Sequence, residues 1–166
     1  ESSLPERKWF KHSWYNYGRD DFHSKKEKEL DVIHATEEQF QQLLKYLREA
    51  VQKYQKKYSR EEGEIGNTWI HHISPVRFNK YKVGTKMRLH IDHIHSLFDG
   101  KLKGVPIISI VGLLNDNYKG GAFLCRGKEI KLTRGDILLF PSNFMYPHKV
   151  KEITKGIRYS FVSWAF

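Results

Sequence analysis

The chain has 166 residues, carries a net charge of +10, and is 39% hydrophobic and 14% aromatic. That length fits a single domain, 1–166, and the apolar content supports a packed core, which excludes wholesale disorder. The single cysteine, Cys125, excludes an intrachain disulfide, and no apolar run approaches membrane-spanning length.

In chain order, residues 1–67 read as an N-terminal arm and a supporting helix. Glu1 to Phe10 lacks the apolar run of a secretory signal. Trp9, Phe10, Trp14, Tyr15 and Tyr17 make residues 1–35 aromatic and polar, as expected of an irregular or strand-like arm laid against a core. His12, His23 and His34 are expected at the surface. Thr36 opens the clearest helix. It is an N-cap candidate with Gln39 in the capping-box position, and Glu37 and Glu38 suit the positive helix end. Phe40, Leu43, Leu44, Leu47, Val51, Tyr54 and Tyr58 recur at helical spacing and are expected to face the core. Lys25, Lys26, Lys28, Lys53, Lys56 and Lys57 lie among Glu27, Glu29, Glu61 and Glu62, the pattern of a solvated helical face. A nucleic-acid partner or an acidic substrate is the alternative meaning of the charge.

From Thr68 the pattern turns to strands. Trp69–Ile73, Val76–Tyr81, Met87–Asp92, Ile107–Leu114, Ala122–Leu124, Glu129–Leu132, Ile137–Phe140, His148–Val150 and Ile157–Phe166 are short runs between turn signals such as Gly120-Gly121 and Lys155-Gly156. One helix followed by many strands predicts a mainly β fold with supporting helix, a jelly roll over 68–166. Ser96–Gly104 is a polar loop and a candidate lid. Cys125, among apolar neighbours, reads as a strand residue.

His90 and Asp92 are two apart on a predicted strand, so both leave one face. Leu89 and Ile91 should then point into apolar packing. His148 opens a later strand. Two imidazoles and one carboxylate suit one face of an iron(II) ion. His93 with His95 is an alternative ligand register, disfavoured because it lacks the acid. On the last strand, Arg158, Ser160, Val162 and Trp164 share a face by alternation. They could line a pocket that takes a carboxylate at Arg158. Arg88 shares the face of His90 and Asp92 and suits either substrate contact or a structural ion pair. Asp116 and Asp136 read as turn formers.

Tyr81-x-x-Gly84, His90-x-Asp92, the run Gly112 to Gly121, Gly135 to Pro141, Pro147-His148-Lys149-Val150 and Gly156-Ile157-Arg158-Tyr159-Ser160 occur in this order. In these motifs residues 68–166 resemble the prolyl 4-hydroxylase-like branch of the iron(II)- and 2-oxoglutarate-dependent dioxygenases. The resemblance implies a double-stranded β-helix of the cupin-like kind. It implies iron(II) held by His90, Asp92 and His148. It implies 2-oxoglutarate anchored by Arg158, with Tyr81, Ser160 and Trp164 bordering it, O2 as cosubstrate and ascorbate as a candidate reductant. Two positions depart from common relatives. Leu113 stands where many have tyrosine, so Ser160 or Tyr81 must supply the second carboxylate contact. Arg158 stands where collagen-type relatives have lysine.

The activity implied is hydroxylation of a peptide or protein substrate, proline-containing, by a soluble cytoplasmic enzyme without membrane attachment. AlkB-type nucleic-acid demethylation would suit the charge, but that group carries a second arginine where this chain has Trp164. A small-molecule or free amino-acid hydroxylase and a catalytically silent binding module complete the alternatives.

Overall fold

The helix starts where its capping signal lies. In the computed structural model, which describes residues 8–16, 21–23, 29–58, 70, 72–92 and 106–166, α1 spans Glu37–Tyr58. The Gln39 N–H donates to Thr36 Oγ1 at 3.1 Å, and the Thr36 N–H donates to Gln39 Oε1 at 3.0 Å. This reciprocal box satisfies two amides that a helix start leaves open. Leu44, Leu47 and Val51 are buried, and Gln55 continues their stripe. Tyr58 departs from the expected core face. It is 58% exposed, and its ring lies 4.6 Å from that of Tyr54 instead of on the sheet.

The strands are β1 (Phe10–Lys11), β2 (Trp14–Asn16), β3 (Asp21–His23), β4 (Asp31–His34), β5 (Arg77–Tyr81), β6 (Met87–His90) and β7 (Ile108–Leu113). They continue with β8 (Lys119–Gly120), β9 (Phe123–Cys125), β10 (Lys128–Ile130), β11 (Ile137–Pro141), β12 (His148–Val150), β13 (Ile153–Lys155) and β14 (Arg158–Ala165). The larger sheet runs β1-β4-β5-β14-β7-β11, and a smaller one runs β10-β9-β12-β6. Named pairs in both are antiparallel. One apolar cluster, including Leu30, Val32, Met87, Val111, Phe123, Phe140 and Val150, joins residues of the two sheets. A second, from Leu44, Leu47 and Val51 to Ile108, Ile110 and Phe161, joins α1 to the larger sheet. The result is the expected jelly roll backed by a helix.

Several expectations shift. Residues of the arm enter the larger sheet as β1 and β4, and β2 pairs β3. Trp69–Ile73 contributes only a bridge, Ile73 to Ala165, among its described residues. The short pair β13-β8 was not foreseen. Leu89 and Ile91 are not in apolar packing: they are 64% and 38% exposed. The outer face of the smaller sheet lies toward solvent there, so alternation points these side chains out. His12 is not at the surface but buried, because its N–H donates to Leu30 O at 3.0 Å and holds the arm against the chain entering β4. The candidate lid, His93 and His95 fall outside the described residues.

Gly112 shows how tightly the larger sheet packs. It pairs with Phe161 across β7 and β14, and the aromatic ring lies flush on it, where any Cβ would collide.

Candidate functional site

His90 closes β6 and His148 opens β12, and the two are register partners, so their imidazoles stand side by side with ring centroids 4.2 Å apart. Asp92 follows just past the end of β6. His90 Nε2 is 3.5 Å and His148 Nε2 is 3.8 Å from Asp92 Oδ1. One ligand atom from each of the three lies within 4.8 Å of the others.

The surroundings turn these atoms toward a common point. His90 Nδ1 is 2.8 Å from Arg88 O, and His148 Nδ1 is 3.1 Å from Tyr146 O. A carbonyl can only accept, so each Nδ1 carries the proton and each Nε2 presents its lone pair. Ser109 on β7 donates to Asp92 Oδ2 at 2.5 Å and lies 2.7 Å from Ser142 Oγ. Oδ2 is therefore engaged and Oδ1 faces the imidazoles. Phe123 stacks on the His148 ring and Phe140 meets it edge-on.

Burial disfavours ionised Asp92. When the imidazoles carry both protons in the metal-free cleft, the His90 hydrogen bond, the His148 and His90 charges and the Ser109 bond outweigh it, so the carboxyl lies well below its usual range. Burial, followed by the His90 charge, lowers the His148 pKa; Asp92 and the Tyr146 carbonyl oppose this. A carboxylate with two neutral imidazoles is the state a divalent metal needs. With one acid, two imidazole nitrogens and one face left open, the donor set fits iron(II).

Arg158 lies in the same cleft and is 1% exposed. Its Nη1 donates to Ser160 Oγ at 2.9 Å, and its guanidinium lies 5.0 Å from the Tyr81 ring centroid. Its Nε is buried with no partner, and no carboxylate among the described residues pairs with it. A buried guanidinium without a counter-anion is costly, so the site suits an anion from outside. Gly121 makes room for it: a Cβ there would sit 3.2 Å from Arg158 Cδ.

His90, Asp92, His148, Tyr81, Arg158, Ser160 and Trp164 all line this one cleft. Leu113, at the departing position, is buried opposite Ser160 and does not line it. Arg88 sits 4.0 Å from Glu29, in keeping with the structural ion pair. Asp136 accepts from Thr133 N and Oγ1 at 2.7 and 2.9 Å, as a turn former does. Burial pushes the Cys125 thiol up, with Arg126 opposing, consistent with an inert strand cysteine. Sequence reasoning missed Ser109 and Ser142. It also missed Arg77 and Asn79, which line the cleft four and two residues before Tyr81. Alternation along β5 places all three on one face and was the available signal.

Comparison with known proteins gives a consistent picture. The profile of the 2OG-Fe(II) oxygenase superfamily matches residues 76–166. A PKHD-type hydroxylase of Acinetobacter baylyi is 31% identical over 101 residues, 57% of this chain and 44% of that protein. The PKHD-type hydroxylase PiuC of Pseudomonas aeruginosa is 28% identical over 99 residues, 55% and 43% of the two chains. The chain thus spans less than half the length of these curated relatives. Among solved structures, a Pseudomonas putida prolyl-4-hydroxylase superposes with a TM-score of 0.61 at 17% identity, covering 83% of this chain and 69% of that one. A Trichoplax adhaerens prolyl hydroxylase, solved with a hypoxia inducible factor peptide fragment, gives a TM-score of 0.58 at 25% identity, covering 84% and 63%.

Proposed function

The chain belongs to the 2OG-Fe(II) oxygenase superfamily, and from that premise we propose that it hydroxylates a peptidyl, proline-containing substrate with release of succinate and CO2. His90, Asp92 and His148 hold iron(II), and Arg158 with Ser160 anchors the far carboxylate of 2-oxoglutarate. When bound, iron and cosubstrate supply the oxidising power: O2 is consumed, 2-oxoglutarate loses CO2 to become succinate, and one oxygen enters a substrate C–H bond. Ascorbate is the proposed reductant that maintains iron(II).

The chain's own part is binding and orientation. Ser109 fixes the rotamer of Asp92, and the two backbone carbonyls fix the imidazole tautomers. Tyr81 closes one side of the Arg158 guanidinium. Phe123 and Phe140 exclude water from the His148 side. Trp164 forms part of the wall where a peptide would lie. A cytoplasmic, membrane-free setting belongs to the proposal; among the described residues no helix is long and apolar enough to cross a membrane.

The carrying observation is the orphaned, buried Arg158 in one cleft with a histidine, aspartate, histidine cluster. Two relatives support the peptide: one is a prolyl-4-hydroxylase, and the other was solved with a peptide fragment. The test is succinate release from 2-oxoglutarate with iron(II), in the presence of proline-rich peptides, free amino acids or methylated oligonucleotides. Stimulation by a proline peptide, with hydroxyproline in the product, is expected. Stimulation by methylated nucleic acid alone, or no turnover under any condition, would overturn the proposal.

A further inference from the structure

We propose that Arg77 and Asn79 form a second anion-binding subsite in the cleft, which receives a carboxylate of the substrate and an amide N–H beside it. The inference rests on the reading of the cleft as an oxygenase site and narrows the substrate class to one bearing an acidic group near the carbon to be oxidised.

Three polar atoms lining this cleft are buried without a partner: Arg158 Nε, Arg77 Nε and Asn79 Oδ1. The first is accounted for by the cosubstrate. The β5–β14 ladder separates the others from it. Tyr81 pairs with Arg158, Asn79 with Ser160, and Arg77 with Val162. Arg77 therefore lies four residues along the ladder from the Arg158 level, about 13 Å. A five-carbon diacid held at Arg158 and reaching the metal, on the order of 6 Å long, does not extend to the far end. Something else must meet the second guanidinium.

No carboxylate of the described residues pairs with it. Among the described residues no acidic oxygen lies within 4 Å of Arg77, and Glu29 is turned to His12 at 3.9 Å and Arg88 at 4.0 Å. The contact recorded for the guanidinium is the face of Trp164, with Cζ 5.7 Å from the ring centroid. Stacking on an indole holds the guanidinium plane while leaving its edge free to donate. Burial first, and then the charges of Arg77, His90 and Arg88, lower His12 to about 3. The other groups facing Arg77 are Asp92, shared with the triad, and the Tyr81 phenol.

The donor set selects the ligand. A guanidinium donor and an amide oxygen acceptor at neighbouring positions of one strand face suit a carboxylate and the amide N–H of the same residue. An aspartyl side chain beside proline and a free C-terminal carboxylate both satisfy this chemistry.

The test uses the full chain loaded with Mn(II) and 2-oxoglutarate, which binds without turning over. Four probes are titrated: acetyl-Pro-Asp-amide against acetyl-Pro-Asn-amide, and acetyl-Pro-Ala acid against its amide. Binding is read by calorimetry and by indole fluorescence, for which Trp164 under Arg77 is a local reporter. At least one acid should bind about tenfold or more tightly than its neutral twin. Which pair does so identifies the source of the carboxylate. Arg77→Met should shrink the ratio to near unity, and Arg77→Lys should retain part of it. Equal binding of acids and neutral twins, including no binding by either, would overturn the proposal. So would a preference that survives in Arg77→Met, or an Arg77→Met effect that falls on 2-oxoglutarate instead. The parent reading fails separately, as absent succinate release with iron(II), because the acid preference is read from binding alone.

Discussion

Replacing Arg158 distinguishes a ligand anchor from a residue that holds the fold. The guanidinium is 1% exposed and, among the described residues, meets the Ser160 hydroxyl and the Tyr81 side chain. Its desolvation is therefore uncompensated until an anion arrives. Removing one partner of a buried, hydrogen-bonded ion pair costs about 3–5 kcal/mol. At about 1.4 kcal/mol per decade, Arg158→Ala should raise the 2-oxoglutarate requirement by roughly two to three and a half orders of magnitude. Arg158→Met keeps most of the stem's volume and should show the same loss. The two roles part in the ligand-free protein. An anchor without a counter-ion stabilises nothing there, so Arg158→Met should leave the unfolding free energy within about 1 kcal/mol of the parent, or raise it. The parent should gain about 2.7 kcal/mol of stability at 2-oxoglutarate one hundred times its Kd, and the variant should gain no more than about 0.4 kcal/mol at that concentration. The assays are the KM for 2-oxoglutarate from succinate release and urea unfolding with and without 2-oxoglutarate and Mn(II). An unchanged KM, or a ligand-free destabilisation as large as the binding loss, would refute the reasoning.

Three further outcomes follow from other contacts. Ser109→Ala removes the hydrogen bond to Asp92 Oδ2 and should weaken Mn(II) or Co(II) binding about 10–100-fold in a metal titration; a lowered urea midpoint with unchanged metal affinity would make Ser109 merely structural. Asp31 holds Lys11 at 2.7 Å and Lys82 at 3.0 Å, and although burial opposes ionisation, these contacts lower its pKa. A carboxyl whose folded pKa is depressed stabilises above its unfolded pKa and loses that contribution as pH falls through the folded value. Asp31→Asn should therefore cost about 1 kcal/mol near pH 7, since both lysines are partly exposed, and the gap to the parent should close below about pH 4; a gap independent of pH would count against the ion pairs. Thr36→Ala removes the cap oxygen used by Gln39 N and should cost about 1 kcal/mol in urea unfolding.

Legibility in the sequence followed the range of the interactions. The α1 cap was readable because Thr36 and Gln39 are three residues apart and satisfy each other. The outward turn of Leu89 was not. Period-two alternation says only that Leu89 opposes His90, and which face is buried depends on what covers the smaller sheet. His12 fails for the same reason, since its burial depends on a backbone bond to Leu30, a contact that no local pattern encodes.

The site divides along the same line. The triad and Arg158 stand in ordered motifs with flanking turns, and it is the family resemblance carried by those motifs that implies their chemistry. Ser109 and Ser142 could not be read in this way, because each is an ordinary hydroxyl whose meaning comes from a partner distant in sequence, Asp92 from beyond the end of a strand of the smaller sheet for one and Ser109 for the other. Arg77 lies between. Its alternation with Asn79 and Tyr81 was visible, yet a cation two residues from an asparagine carries no message by itself. It acquires one only when burial leaves its Nε without a partner, the indole of Trp164 holds its plane, and the strand register sets its backbone four residues along the ladder from Arg158. The proposed iron ligation and cosubstrate anchoring thus rest on motifs that many relatives can share, whereas the proposed substrate subsite rests on unpaired polar atoms that only the folded chain exposes.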